Sequence, residues 1–309
     1  MIINSGMRTD IPAYYSKWFM NRIREGYVLV RNPYFENQVT RYRLDPEVVD
    51  VLAFCSKNPK PMLEHLSELE RFHMFWFVTI TPYDEDIEPN VPPKEDVMDS
   101  FKVISDTLGA SSVSWRYDPI FINDKYSVEY HIKAFEDMAS YLKGYTNQVV
   151  ISFIDLYAKT IKNFPEAREV NAEERIQIGK AFAEIGKRHC MVVRSCVEGT
   201  YLAPYGIDIS GCMTKEILER AVGSELVIPK TRNQRQDCNC VLGHDIGAYN
   251  TCGHMCKYCY ANYDEGIVRQ NMKKHDPDSP FLIGQSMPGD EIHEAKQMKY
   301  ATGQMMLDI

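Results

Sequence analysis

Short runs of β-branched and aromatic residues recur along the chain, and each is followed by a stretch in which apolar residues recur at helical spacing. This alternation is typical of parallel βα units, in which a helix carries the chain back to the start of the next strand. The predicted strands are Met1–Asn4, Asp50–Phe54, Met74–Ile80, Ser112–Tyr117, Val149–Ile154, Cys190–Arg194 and a weaker one at Asp245–Tyr249.

Five apolar stripes predict helices between these strands. We interpret their side chains as core, because packing is the commonest role of such residues. The fifth stripe ends at Gly223, a residue type that commonly stops a helix. The stripes are Leu63, Leu66 and Leu69; Val97, Met98, Phe101, Ile104 and Leu108; Ile132, Phe135, Met138, Ala139 and Leu142; Ile178, Ala181, Phe182 and Ile185; and Ile217, Leu218, Ala221 and Val222.

Seven strands alternating with helices predict an α/β fold, a TIM-like (βα) barrel that is either full or partial. We assign residues 1–224 to the barrel domain and residues 225–309 to a Cys-rich C-terminal region that completes or caps it. The connection lies at 225–237, where a proline and a basic cluster break the pattern. Residues 276–289 are rich in Pro, Gly, Asp and Ser and are predicted to run over the surface.

Composition narrows the class of protein. The chain has 309 residues, of which 44% are hydrophobic and 25% are charged, and this balance excludes disordered and fibrous proteins. No apolar run approaches the roughly 18 residues of a membrane-spanning helix, and the first residues lack the pattern of a signal peptide. We therefore expect a cytoplasmic protein with no membrane partner. The net charge of −8 disfavours nucleic acid as a partner.

Polar side chains follow most of the predicted strands. In a (βα) barrel these positions lie at the catalytic mouth, so together they predict a pocket for a cofactor or substrate. Individually, loop polarity or rim ion pairs explain them equally well. They are Ser5, Arg8, Asp10, Ser56, Lys57, Asn58, Thr81, Tyr83, Glu88, Arg116, Tyr117, Asp118, Asp155, Tyr157 and Arg194.

Nine cysteines are present, and eight of them fall in the last 120 residues. An odd number in a long chain without a secretion signal indicates metal or redox chemistry rather than a disulfide framework. Three of them form Cys252-Gly-His-Met-Cys256-Lys-Tyr-Cys259, a C-x3-C-x2-C spacing. A compact loop of this kind can bring three thiolates to three corners of a cubane iron–sulfur cluster and leave the fourth iron open to a small molecule.

A zinc site is the alternative interpretation of this motif. Structural zinc takes four N or S ligands, and His254 is the residue within the loop that could supply the fourth. Because His254 lies inside the tight loop, we favour the cluster and interpret His254 as a bystander.

The C-x3-C-x2-C spacing, with the aromatic residue Tyr258 before the third cysteine, resembles the signature of radical S-adenosylmethionine enzymes. The resemblance implies that S-adenosylmethionine chelates the open iron of a [4Fe–4S] cluster through its amino and carboxylate groups. One electron, from a donor such as a flavodoxin or ferredoxin, then releases a 5′-deoxyadenosyl radical that abstracts hydrogen from a small-molecule or peptide substrate. Cys252, Cys256 and Cys259 are the implied catalytic ligands.

Six charged residues are candidates for holding such a cofactor. Arg8, Lys57 and Arg116 can grip the carboxylate of S-adenosylmethionine or a substrate anion, because cationic groups form strong hydrogen bonds to carboxylates. Glu88, Asp118 and Asp155 can accept hydrogen bonds from ribose hydroxyls. Tyr83, Tyr117 and Tyr157 are interpreted as lining the pocket rather than relaying hydrogen.

A wider resemblance covers nearly the whole chain. Read in order, its segments resemble an uncharacterised bacterial family, domain of unknown function 1848. SKNP, the TITP…IEP segment and WRYDPIF are also similar to stretches of the spore photoproduct lyase branch of radical S-adenosylmethionine proteins. The segments are SGMRTDIPAYYSKWFMNRIREGYVLVRNPY, FCSKNPKPML, TITPYDEDIEPNVPPKE, SWRYDPIF, NQRQDCNC and DIGAYNTCGHMCKYCYANY.

The position of the motif departs from that pattern. In typical radical S-adenosylmethionine enzymes the cysteines follow the first strand, whereas here they follow the last predicted strand. The first and last strands of a barrel are neighbours, so a circular permutation keeps the same site in space. We state this permutation as a hypothesis.

Four further cysteines, Cys196, Cys212, Cys238 and Cys240, make up the ligand complement of a second site. A second [4Fe–4S] cluster, a four-cysteine zinc site and no metal all remain open, with the cluster preferred. The two remaining cysteines, Cys55 and Cys190, are predicted to be small core residues.

Two other functions compete with the enzyme. One is a non-catalytic iron–sulfur or zinc protein with a structural or electron-transfer role. The other is repair of nucleic-acid lesions, which the acidic net charge disfavours, and we interpret the basic residues Lys230, Arg232 and Arg235 as a solvated loop.

Overall fold

A computed structural model describes residues 1–229, 238 and 240–305. The described helices are α1 (Ile11–Tyr14), α2 (Ser16–Glu25), α3 (Lys94–Leu108), α4 (Val128–Tyr141), α5 (Ala158–Asn163), α6 (Ala172–Arg188), α7 (Lys215–Val222) and α8 (Glu265–Lys273), with 3-10 helices at Lys60–Leu69 and Ala203–Tyr205. The described strands are β1 (Ile2–Ser5), β2 (Tyr27–Arg31), β3 (Gln38–Arg43), β4 (Val51–Ser56), β5 (Met74–Thr79), β6 (Val113–Ile120), β7 (Gln148–Phe153), β8 (Val192–Ser195), β9 (Ser224–Leu226), β10 (His244–Asp245), β11 (Glu291–Glu294) and β12 (Ala301–Met305).

The main sheet has seven strands in the order β10-β1-β4-β5-β6-β7-β8, and all neighbours are parallel. Each of the seven predicted strands overlaps one strand of this sheet, so the predicted α/β class is confirmed. The strand predicted at Asp245–Tyr249 corresponds to β10, which has two residues, ends at Asp245 and is the shortest strand of the sheet.

The sheet is open, so the full barrel among the two predicted alternatives is wrong, and the partial barrel stays a prediction. In the described residues β8 and β10 are its two edges and no ladder joins them. One face carries the apolar side chains Ile2, Val51, Phe75, Phe77 and Val150, which pack against Ile217, Leu218 and Val222 of α7. We call this the α7 face. Because α7 covers this face, the apolar side chains of the face are buried although the sheet does not close.

The opposite face holds the larger core. Strand residues such as Leu52, Trp76 and Trp115 pack there against buried residues of the helices that follow them, including Phe101 of α3 and Phe182 of α6. Successive residues of a strand point to opposite faces, so β1, β4, β5 and β7 contribute side chains to both cores.

The predicted helices are confirmed at four of five stripes. The stripe Leu63, Leu66 and Leu69 forms a 3-10 helix instead, and its spacing of three residues is the 3-10 period. Helix α7 begins at Thr214, whose side chain accepts a hydrogen bond from the N–H of Ile217, and it ends at Gly223 with a φ of 70°.

Two small sheets and the tail differ from the sequence analysis. Strands β2, β3 and β11 form one sheet, and β9 pairs with β12 in another. The 276–289 segment is partly buried rather than on the surface: Phe281 packs with Leu29 and Val39, and Ser279 accepts a hydrogen bond from the Trp18 indole through its carbonyl. Phe281 and Leu282 of this segment are both buried.

Three other predictions have structural outcomes. Cys55 packs against the core of the α7 face, as predicted. Cys190 is exposed, with a φ of 59°, in the turn before β8, so its prediction as a core residue is wrong. Lys230, Arg232 and Arg235 lie outside the described residues, as does most of the 225–237 connection. Over the described ranges, none of the helices has the length and apolar content needed to cross a membrane.

Candidate metal centre

The C-x3-C-x2-C loop begins seven residues after the edge strand β10, which pairs in parallel with β1 through Ile3 and Asn4. The carboxyl ends of parallel strands lie at one edge of a sheet. The loop therefore meets the segments that follow β1, β4 and β5, although more than 150 residues separate it from them along the chain.

Side chains from separate segments hold the backbone of this loop. Because each bond is buried or partly buried, these bonds fix the loop against the body of the protein. The Asn90 amide donates to the carbonyl of Gly253 at 2.8 Å, the Asn262 amide to that of Cys252 at 2.8 Å, and the Tyr15 hydroxyl to that of Thr251 at 2.5 Å.

Gly253 is required by close packing. A Cβ atom at this position would lie 2.7 Å from the ring of Tyr14, a distance that real Cβ contacts do not show. The aromatic residues of α1 and the segment before α2 thus form a wall against which the cysteine loop lies.

The three motif cysteines are partly buried. Burial raises the pKa of Cys252, Cys256 and Cys259, and the other two thiols raise that of Cys252 further, which places the three near one another. Three closely spaced and partly buried sulfurs are stabilised as thiolates when a cation neutralises them. The donor set thus fits the thiolate ligation of an iron–sulfur cluster.

Glu88 is the centre of charge beside these thiols. Its buried carboxylate accepts hydrogen bonds from Lys57 Nζ at 2.8 Å and Lys94 Nζ at 2.5 Å, and also from the hydroxyls of Thr81 and Tyr258. Burial alone would raise the pKa of Glu88, but the two ammonium groups lower it to about 2. Glu88 is therefore a fixed negative charge.

His254 is held by other protein groups. Its Nε2 donates to Asp10 Oδ2 at 2.8 Å, and its Nδ1 lies 3.1 Å from the hydroxyl of Tyr14. The same Asp10 oxygen accepts from the N–H of Lys57 at 2.7 Å. Both ring nitrogens are thus occupied, as expected for a bystander rather than a fourth metal ligand.

A family model described as domain of unknown function (DUF1848) matches residues 2–261. The chain belongs to the DUF1848 family. The matched segment runs from β1 to two residues beyond Cys259, so it contains the seven strands of the main sheet and the whole cysteine motif. No curated protein matches the chain.

The six predicted cofactor-binding residues of this DUF1848 protein do not form one group. Lys57 and Glu88 lie together beside the motif, as described above. Arg8 is paired with Asp245 of β10 and donates to its carbonyl oxygen at 2.6 Å. Asp155 is exposed and accepts from the hydroxyl of Tyr157 at 3.0 Å.

Arg116 and Asp118 form a partly buried ion pair near the α7 face. Arg116 Nε donates to Asp118 Oδ2 at 3.1 Å, and Ser152 donates to the other carboxylate oxygen. Burial opposes the charge on Arg116, but Asp118 and nearby thiols raise its pKa well above the ordinary value. The pair stands between the motif and the second set of cysteines, since Arg116 interacts electrostatically with Cys196 and Cys212.

The three candidate tyrosines have different environments. Tyr83 and Tyr117 are buried in the larger core, where their hydroxyls contact the carbonyl of Pro119 and the ring of His131. Tyr157 is 41% exposed. Tyr83 and Tyr117 thus pack in the core, and the prediction that they line a pocket is not what their contacts show.

The second set of cysteines also converges in the DUF1848 fold. Cys196 follows β8, Cys212 precedes α7 and Cys240 precedes β10, yet their sulfurs are in contact. Within the described part of the chain, however, no three or more His, Cys, Asp and Glu side chains already have the geometry of a metal site.

Two contributors to the motif's surroundings were not among the predicted residues. Lys94 forms the second ion pair with Glu88, and Asn90 anchors the carbonyl of Gly253. Both lie in the segment IEPNVPPKE that follows Glu88 closely in the chain. Three prolines in this segment predict an ordered turn, which is the one sequence signal that pointed to Lys94 and Asn90.

Proposed function

We propose that this DUF1848 protein is a radical S-adenosylmethionine enzyme. The observation that carries the proposal is the parallel pairing of β10 with β1, because it sets a C-x3-C-x2-C loop at the carboxyl edge of a parallel sheet. Ligands of open α/β sheets bind at this edge. The loop supplies the three cysteines that the resemblance to radical S-adenosylmethionine enzymes implies. In those enzymes the motif follows the first strand, whereas here it follows β10.

Cys252, Cys256 and Cys259 are the residues that would hold a [4Fe–4S] cluster. When bound, such a cluster supplies the electron that cleaves S-adenosylmethionine and yields a 5′-deoxyadenosyl radical. Three ligands leave one iron without a protein donor, which is the position for a small-molecule chelate.

The protein's own contribution is a fixed group of charged side chains, Lys57, Glu88 and Lys94, which we call the charged wall. Tyr258 and Lys57 both reach Glu88, so the loop that carries the cysteines is fixed to the loops after β4 and β5. Burial opposes the charge on Lys57, but Glu88 and Cys256 raise its pKa, so the group remains an ammonium ion beside the thiols. We assign Lys57 to the binding of carboxylate and Glu88 to keeping Lys57 charged and in place.

A partial barrel with a permuted strand order is part of the proposal. The strand that precedes the motif occupies the edge position beside β1 and is the last of the main sheet's seven strands along the chain. The chain's β1, β4 and β5 then follow in the sheet as successive strands. The electron donor in this proposal is a flavodoxin or ferredoxin.

Electron paramagnetic resonance tests the proposal. The anaerobically reconstituted full chain is reduced with dithionite and its spectrum is recorded with and without S-adenosylmethionine. We expect a [4Fe–4S] signal that changes when S-adenosylmethionine is added, followed by release of 5′-deoxyadenosine. The triple variant Cys252→Ala/Cys256→Ala/Cys259→Ala should lose the responsive signal, and Cys190→Ala is the matched control because Cys190 is exposed in a turn away from the motif.

A fully loaded cluster with a signal that ignores S-adenosylmethionine would contradict the enzyme proposal. It would favour the alternative in which the metal has a structural or electron-transfer role. Binding of zinc in place of iron by the motif would have the same meaning, and retention of the responsive signal in the triple variant would place the cluster elsewhere.

A further inference from the structure

Three cysteine sulfurs lie in mutual contact away from the motif. Cys196 Sγ is 3.8 Å from Cys212 Sγ, and Cys212 Sγ is 3.1 Å from Cys240 Sγ. Cys196 and Cys240 also interact directly through their side chains. Separate segments of the chain supply these residues, so their meeting is a property of the tertiary structure.

The separations indicate the size of ligand that these sulfurs fit. Zinc–sulfur bonds of about 2.3 Å in a tetrahedron place the sulfurs about 3.8 Å apart. Cys196 and Cys212 already have this separation, and Cys240 needs to move by less than about 1 Å to reach a third corner. A cubane cluster, by contrast, interposes several iron and sulfide atoms and holds its thiolates much farther apart.

Cys238 is placed to complete the set. Together with Cys196 and Cys240 it lines a cavity of about 10 Å³. That volume is about the space of one water-sized probe, which suits a single ion and is too small for a cluster.

The surroundings also favour thiolates. The backbone N–H of Cys212 donates to Cys240 Sγ at 3.2 Å, a bond that strengthens with negative charge on sulfur. The guanidinium of Arg116 faces Cys196 and Cys212 and lowers the electrostatic cost of charge on them.

We propose that Cys196, Cys212, Cys238 and Cys240 bind one Zn²⁺ ion in a tetrahedral site distinct from the motif. Four thiols lose their protons as four Zn–S bonds form, and no redox change is involved. Cys196 follows the edge strand β8, whereas Cys240 precedes the edge strand β10. The ion would therefore link the residue that follows one edge strand of the open sheet to residues that precede the other edge strand.

Metal analysis tests this inference independently of the proposed activity. The triple variant Cys252→Ala/Cys256→Ala/Cys259→Ala is exposed to iron, sulfide and zinc under anaerobic conditions and then desalted. We expect one zinc per chain and no iron–sulfur absorption. X-ray absorption at the zinc edge should show sulfur ligands alone, at about 2.3 Å.

Added Cys240→Ser should lower zinc retention against a chelator by roughly tenfold or more, whereas added Cys190→Ser should leave it unchanged. Since a serine variant can fail to fold, the absorption spectrum of the parent protein decides the ligand set without it. Four irons per chain in the triple variant, oxygen or nitrogen ligands in place of sulfur, or no bound metal would each overturn the zinc site. None of these results bears on whether the motif cluster responds to S-adenosylmethionine.

Discussion

The hydroxyl of Tyr258 donates a hydrogen bond to the buried carboxylate of Glu88. Tyr258 stands next to the last cysteine of the motif, and Glu88 lies 170 residues earlier, in the loop after β5. Because Glu88 also holds Lys57 and Lys94, this one bond links the cysteine loop to the charged wall beside it.

Tyr258→Phe removes the link while keeping the ring. Glu88 retains its two ammonium partners, so we expect a loss of about 1 kcal/mol in the free energy of unfolding, measured by urea denaturation. Reconstituted protein should also lose iron faster to a chelator. Tyr34→Phe is the control, since Tyr34 is 82% exposed and its variant should stay within about 0.5 kcal/mol. Equal stability and iron loss in the two variants would show that the bond contributes nothing.

Gly253→Ala should distort the cysteine loop. The added methyl group would overlap the ring of Tyr14, and overpacking of this kind costs about 1–3 kcal/mol. The double variant Gly253→Ala/Tyr14→Ala removes the clashing ring, so its iron retention should recover from that of Gly253→Ala to that of Tyr14→Ala alone. Iron per chain after reconstitution measures both. A Gly253→Ala variant that binds iron normally would contradict the close contact.

Arg116 and Asp118 offer a test that separates stability from ligand binding. Arg116→Gln leaves the partly buried Asp118 carboxylate without its cationic partner, and we expect a cost of about 1–3 kcal/mol, below that of a fully buried pair. Adding Asp118→Asn removes the unpaired charge and should restore much of the stability. If Arg116 also binds the carboxylate of S-adenosylmethionine, the double variant regains stability in urea but not affinity in calorimetric titration. Recovery of both would assign the pair to structure alone.

His131 should make stability depend on pH. Burial lowers its pKa from 6.5 to about 4, while its Nε2–H donates to the carbonyl of Phe121 and its Nδ1 accepts from Tyr117. Between these two values the unfolded chain binds the proton and the folded protein does not. Stability is therefore complete above pH 6.5 and falls as the pH drops towards 4, by about 3 kcal/mol over the window.

Urea unfolding of the wild type and His131→Gln at a series of pH values measures this slope. The variant should lose the part of the slope that lies between pH 6.5 and 4, whereas the exposed His293→Gln should keep it. Parallel curves for the wild type and His131→Gln would show that His131 titrates normally in the folded protein.

The sequence by itself determined most of the main elements and the spacing of the cysteines in the motif. Strand runs such as Met74–Ile80 and helical stripes such as that of α4 are local patterns, because burial on one face imposes its period on neighbouring residues. The C-x3-C-x2-C spacing is equally local, as three ligands within eight residues need no distant partner. These features, and the order of βα units, were therefore legible without coordinates.

Only the tertiary structure decided which strands are neighbours and which distant side chains are in contact. That the sheet stays open depends on α7 packing against the α7 face, and the position of β10 depends on its ladder with β1. Lys94 and Tyr258 meet at Glu88, and three distant cysteines meet at one point, because folding trades chain entropy for burial among residues far apart in sequence. Periodicity along the chain carries no record of such pairings, which is also why the exposed Cys190 resembled a core residue.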